Sequence, residues 1–161
     1  DVKISFGGSA ISVNNTNFKL SARLLEGRFF DCESLTRAVR PISVTIDKGL
    51  ALQALKRVTP MTSEVSNLVV LFFEQGKVTI TADDSMFGKS ASETVVCDCD
   101  SELRIGFKCS DLIELFKNIE DDNIVMEMSN PMGGVVVYAS SMYSRDEYVS
   151  LLASSETAQN Q

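Results

Sequence analysis

The sequence predicts an α+β domain with an internal pseudo-two-fold repeat, preceded by a short segment of strands alone. Three observations carry this. A strand-like run that leads straight into an amphipathic helix occurs twice, in VTIDKGLALQALKRV (44–58) and RIGFKCSDLIELFKNI (104–119), about sixty residues apart. Each copy is followed by a hairpin pattern and a further strand. The length, 161 residues with 44% hydrophobic and 23% charged, suits one folded domain with a real core plus part of another.

Taken in order, VKISF, AISV and FKLSARL read as short strands separated by the Gly7-Gly8 and NNTN turns. EGRFFDCESLTRAVRP breaks the pattern, and Pro41 closes a connector. ISVTI then alternates as a strand, Asp47 is placed to cap a helix, and GLALQALKRV sets Leu52, Leu55 and Val58 on one helical face. NLVVLFFEQGKVTITADD is a hairpin turning at Gln75-Gly76, and SASETVVCDC is a longer strand. In the second copy ELRIGF is the strand and Ser110 the expected cap. DLIELFKNI carries Leu112, Leu115, Phe116 and Ile119 on its buried stripe. NIVMEMS and GGVVVYAS form a second hairpin, DEYVSLLA a last strand, and SSETAQNQ a polar tail expected to disorder. A spacing of sixty pairs Leu52 with Leu112, Leu55 with Leu115, Lys48 with Lys108 and Arg57 with Lys117. Two short helices of this kind, too weak to stand alone, would bury their apolar stripes side by side on a sheet built from both halves.

Composition narrows the function. With no histidine, the usual general base and every Ser/His or Cys/His arrangement are missing, and neither GxxxxGK[ST] nor GxGxxG after a strand occurs. CDC at 97–99 offers too few ligands for zinc, and Cys97 and Cys99 share one strand face too closely to bridge, so Cys32, Cys97, Cys99 and Cys109 are expected as free thiols. No catalysis, cofactor or metal is expected. No apolar run reaches the roughly 20 residues that span a bilayer and the start does not look like a signal peptide, so the expectation is a cytoplasmic protein with no membrane partner. The net charge of −7 counts against a protein that holds nucleic acid mainly by neutralising phosphate. Yet the helix faces opposite the apolar stripes carry Lys48, Gln53, Lys56, Arg57, Lys108 and Lys117 beside Asp111 and Glu114. A solvated helix face accounts for that pattern as readily as a binding surface does.

GRFFDCESL, VTIDKGLALQALKRV, GKVTITADD, LRIGFKCSDLIELFKNI and YVSLL follow, in order and spacing, the C-terminal part of the bacterial sliding clamp, the β subunit of DNA polymerase III, which the chain resembles along nearly its whole length. The resemblance implies the DNA-clamp fold, with 1–40 as the C-terminal half of the clamp middle domain, 41–153 as the complete third domain and 154–161 as tail. It implies a non-catalytic processivity factor whose domains form a head-to-tail homo-oligomeric ring, sheets outside and helices lining a hole that encircles duplex DNA without reading sequence. Lys48, Lys56, Arg57, Lys108 and Lys117 would face the DNA. In the family a hydrophobic pocket between the middle and third domains takes short peptide motifs from the polymerase III catalytic subunit, the clamp loader and repair polymerases. The matching positions are Phe30, Ser34, Leu35, Ser66, Lys108, Asp111, Met132, Gly134, Leu151 and Leu152. Phe30 stands where proline is usual, Ser34 where arginine is common, and Lys108 and Asp111 replace an asparagine and an aromatic. Pro60 and Met61 match positions that close the ring against the first domain of a neighbour, which this chain lacks, so it is not expected to close a ring by itself. The changed pocket also allows a second reading, a diverged clamp-fold peptide-binding adaptor with no direct role on DNA.

Overall fold

The structure, a computed structural model, describes residues 2–27, 39–131 and 133–141, and the backbone of 150–152. The chain divides into two compact units, 1–32 and 33–161. The first is an antiparallel sheet of β1 (Lys3–Phe6), β2 (Ala10–Asn14) and β3 (Lys19–Arg23) in that order. Its register sets Ile4 opposite Val13, Phe6 opposite Ile11, Ile11 opposite Ala22 and Val13 opposite Leu20. Directly opposed residues share a face, so one side of the sheet is wholly apolar while Lys3, Ser5, Ser12 and Ser21 take the other. Ile4, Phe6 and Leu20 remain 55%, 76% and 59% exposed. Among the described residues no layer covers that side.

In the second unit the strands are β4 (Ile42–Asp47), β5 (Leu68–Glu74), β6 (Lys77–Asp84), β7 (Lys89–Asp98), β8 (Leu103–Lys108), β9 (Asn123–Met128), β10 (Val135–Ala139) and β11 (Ser150–Leu152). The helices are α1 (Lys48–Val58), continued by a 3-10 turn at Thr59–Met61, and α2 (Cys109–Asn118). One eight-stranded sheet runs β11-β10-β9-β4-β7-β6-β5-β8. The first strand of each half has left its own hairpin. β4 pairs along its whole length with β9 of the second half, and β8 pairs along its whole length with β5 of the first. The two four-stranded sets meet only where Thr45 and Ile46 of β4 oppose Asp98 and Cys97 of β7. Neither half is complete without a strand of the other.

The helix entries repeat the exchange. The first N–H of α1, on Lys48, donates to the carbonyl of Asp122 just before β9 (2.8 Å), and the first N–H of α2, on Cys109, donates to that of Asn67 just before β5 (2.7 Å). Asp47 caps α1 as expected, its Oδ1 accepting from Leu50 N at 2.7 Å. Ser110 does not cap α2. That helix begins one residue earlier, with Lys108 in the cap position and no cap bond from its side chain. Asn67 does the work from a distance: its Oδ1 accepts from Ser110 N at 2.8 Å while its carbonyl holds Cys109. To aim both oxygens at one helix end it adopts φ +48°, a left-handed conformation that asparagine tolerates better than most residues.

The helix starts place the repeat at 61 residues rather than sixty. Asp47 then matches Lys108, Ala51 matches Leu112, Leu55 matches Phe116 and Lys56 matches Lys117, and all four pairs agree in exposure. The core stripe of α1 is accordingly Ala51, Ala54, Leu55 and Val58, with Leu52 half-buried at its margin; in α2 it is Cys109, Leu112 and Phe116, with Leu115 and Ile119 half-buried. The helices run antiparallel along a shared seam. Thr59 Oγ1 lies 3.2 Å from Cys109 Sγ at one end, and Lys48 Nζ donates to Ile119 O at 2.9 Å at the other. Under them lie Val44, Ile46, Val69, Leu71, Phe73, Ile80, Phe107, Ile124 and Met126. Gly76, at φ +77°, makes the tight β5–β6 turn.

Asp121 ties the α2–β9 connection to the end of the β10 hairpin. Its Oδ1 accepts from Asp122 N and its Oδ2 from Ser141 N, both at 2.7 Å. Backbone donation, from Ser141 above all, brings its carboxyl down from the ordinary 3.8 to about 2.

Two outcomes are expected. Asn67→Ala should destabilise the chain by about 1–2 kcal/mol in urea unfolding, since the α2 cap and the left-handed site are lost together, and Asn67→Gly should recover part of that. A depressed carboxyl stabilises the fold above its unfolded-state value and ceases to as pH falls through the folded one. Asp121→Asn should therefore lose less stability than the parent between about 4 and about 2 in an acid titration of unfolding.

Candidate functional site

The five helix cations have different surroundings. Lys48 is half-buried and bonded to Ile119 O, so its charge sits at the C-terminal end of α2, where the helix dipole favours it. Lys108, at the entry of α2, is exposed with Nζ 3.7 Å from Asp111 Oδ1. Arg57 grips Glu93 of β7 with two parallel bonds, Nε to Oε1 at 2.8 Å and Nη2 to Oε2 at 3.0 Å. This hydrogen-bonded pair raises the guanidinium pKa and lowers that of the carboxyl. Lys56 and Lys117 are exposed and, among the described residues, have no acidic side chain in salt-bridge reach. They occupy equivalent positions in the last turns of the two helices. The same placement also suits the dipole of each helix, so position alone does not make them contacts.

Glu93 is the partner that the sequence reading missed. The only signal was a carboxylate within the inward row Ala91, Glu93, Val95, Cys97 of β7, where alternation leads one to expect an apolar side chain.

Of the expected peptide-contact positions, Phe30, Ser34, Leu35 and Met132 lie outside the described residues. Ser66, Lys108 and Asp111 gather where β5 and α2 begin, since Leu68 opposes Lys108 and Asn67 binds the α2 entry. Gly134 precedes β10, where its carbonyl accepts from Arg40 Nε at 3.2 Å, and Leu152 and Leu151 oppose Val135 and Val136 in backbone register. These two groups belong to opposite ends of the strand order, beside β8 and at β11. A hollow of about 370 Å³ opens beside the first group, lined by Ser66, Val65, Leu68, Val70, Asp83 and Arg104. Pro60 is exposed on the 3-10 turn after α1, and Met61 is half-buried against the core.

Cys32 lies outside the described residues, and the three described thiols are not disposed for chemistry. Cys97, Cys99 and Cys109 are free and buried, and burial pushes Cys97 up to about 11 and Cys109 upward as well. Among the described residues no group of three or more His, Cys, Asp or Glu is placed to hold a metal ion, and no helix is long and apolar enough to cross a membrane.

The model of the family described as DNA polymerase III beta subunit, C-terminal domain, matches residues 40–150. The chain belongs to that family. It is 26% identical over 137 residues to the beta sliding clamp of Caulobacter vibrioides, covering 84% of this chain and 34% of the relative. With that of Chlamydia muridarum it shares 24% over 120 residues, covering 74% and 33%. The chain thus spans about a third of the length of these relatives. A solved DNA polymerase III subunit beta from Pseudomonas aeruginosa superposes with a TM-score of 0.78 at 21% identity, covering 96% of this chain and 42% of that one. A sliding clamp from Bartonella birtlesii bound to griselimycin gives 0.77 at 17% identity, covering 96% and 41%. At such identities the superpositions establish the fold, two helices packed on antiparallel sheets in the sliding-clamp arrangement. The family is that of a non-catalytic clamp subunit of DNA replication.

Proposed function

We propose that the chain is the C-terminal part of a processivity factor that encircles duplex DNA and tethers the replicative polymerase, with the clamp loader and repair polymerases as further peptide-motif partners. Residues 1–40 then supply the second half of a middle domain, 41–153 a third domain and 154–161 a tail. The observation that carries the DNA reading is the pair Lys56 and Lys117, exposed at equivalent turns of two antiparallel helices and, among the described residues, clear of acidic partners, in a chain of net charge −7. Two point charges hold duplex weakly, and weak contact without base readout suits a protein that slides. Enclosure in the intact ring, closed in part through Pro60 and Met61, supplies the hold that charge does not.

The peptide groove is proposed at Ser66, Lys108, Asp111, Met132, Gly134, Leu151 and Leu152, with Phe30, Ser34 and Leu35 completing it. An apolar floor with a few placed polar groups is what a short linear motif needs. The adaptor reading draws on a different observation, that Arg57 and Lys108 are both engaged by carboxylates of the chain itself.

Fluorescence anisotropy of labelled duplex over a salt series separates the two. Lys56→Ala with Lys117→Ala should lower the slope of log K against log salt by roughly 0.9 for each lysine. An unchanged slope favours the adaptor. A labelled peptide of the clamp-binding type should bind the parent saturably and lose binding with Leu151→Asp; equal binding by both would remove Leu151 from the groove.

A further inference from the structure

Arg57 stands next to Lys56 in the last turn of α1, yet its guanidinium is already occupied. The fork-to-fork pairing with Glu93, 2.8 Å and 3.0 Å, is the geometry a guanidinium uses for phosphate. Glu93 sits on the helix-facing row of β7, so it meets Arg57 on the side of the sheet that carries the helices. Both partners remain in water, with side chains 55% and 31% exposed. An exposed pair of this kind is weakly held and can exchange one oxyanion for another. The position 61 residues on from Arg57 is Asn118, exposed and uncharged, so this arrangement belongs to the first half only.

We propose that Glu93 is a built-in substitute for phosphate that holds Arg57 back from duplex DNA. Lys56 and Lys117 are the standing contacts of the helix face, and Arg57 is a conditional one that a backbone phosphate gains only by displacing Glu93. The carboxylate thereby lowers the grip of the helix face on DNA and weakens its salt dependence, which favours sliding over adhesion. Glu93 is a positioning residue here, acting through Arg57. The inference rests on the reading that this face meets DNA.

Glu93→Gln tests it, because the amide keeps the shape of the side chain and removes its charge. In duplex anisotropy over a salt series, E93Q should bind roughly twofold to fivefold tighter at low salt. The slope of log K against log salt should steepen by about 0.9, the gain of one phosphate contact. Adding Arg57→Gln to E93Q should return both quantities to the parent values, whereas R57Q in the parent should change little. A gain in E93Q that survives R57Q would trace to the loss of one negative charge in general and would overturn the proposal. E93Q binding like the parent, while Lys56→Ala with Lys117→Ala weakens binding, would overturn it and leave the DNA reading standing. If the lysine variants change nothing, or the parent binds no duplex at low salt, the reading beneath it fails as well.

Discussion

The exchange of first strands between the two halves is the constraint on which the rest of the second unit depends. β4 completes the sheet of β9, β10 and β11, and β8 completes that of β5, β6 and β7. Each helix follows directly on its exchanged strand; α1 packs back over β6 and β7 of its own half, and the two helices lie antiparallel over one core. The helix entries are then held by the opposite half, α1 by the carbonyl of Asp122 and α2 by both oxygens of Asn67. Ten- and eleven-residue helices are marginal in isolation, and packing and capping by the partner half make up the difference.

That arrangement governs which side chains are available at the surface. The apolar stripes of both helices turn to the sheet, which leaves one outward cation at the same place on each, Lys56 and Lys117. Lys48 is drawn into the seam by the C-terminal end of α2, and Arg57 is drawn to the strand beneath it. Five cations that look alike in the sequence thus fall into separate roles: one holds the fold together, two are engaged by carboxylates, and two are open to solvent.

The first unit shows the other side of the same principle. Its three strands have the alternation of a half-sheet, with Ile4, Phe6, Ile11, Val13, Leu20 and Ala22 on one face, but no helix covers that face among the described residues. In the second unit the set β5, β6 and β7 gains a fourth strand, β8, from the partner half, and α1 covers β6 and β7. Covering the apolar face is therefore a matter of topology and not of local pattern.

The sequence by itself determined the strands, the helices and the repeat. Periodicity of 2 and 3.6 is a local property, visible in VTIDKGLALQALKRV and RIGFKCSDLIELFKNI without any knowledge of contacts. It also carried the family resemblance, because register over a long stretch survives when single residues drift. It did not settle the offset of the repeat, since Leu52 and Leu112 align by letter while Ala51 and Leu112 align by burial. Nor could it show that Asn67 caps a helix more than forty residues away, or that Glu93 takes Arg57 across a separation of 36. Those facts are non-local. A side chain's partner is decided by which backbone segments the strand exchange brings together, and only the tertiary structure holds that information.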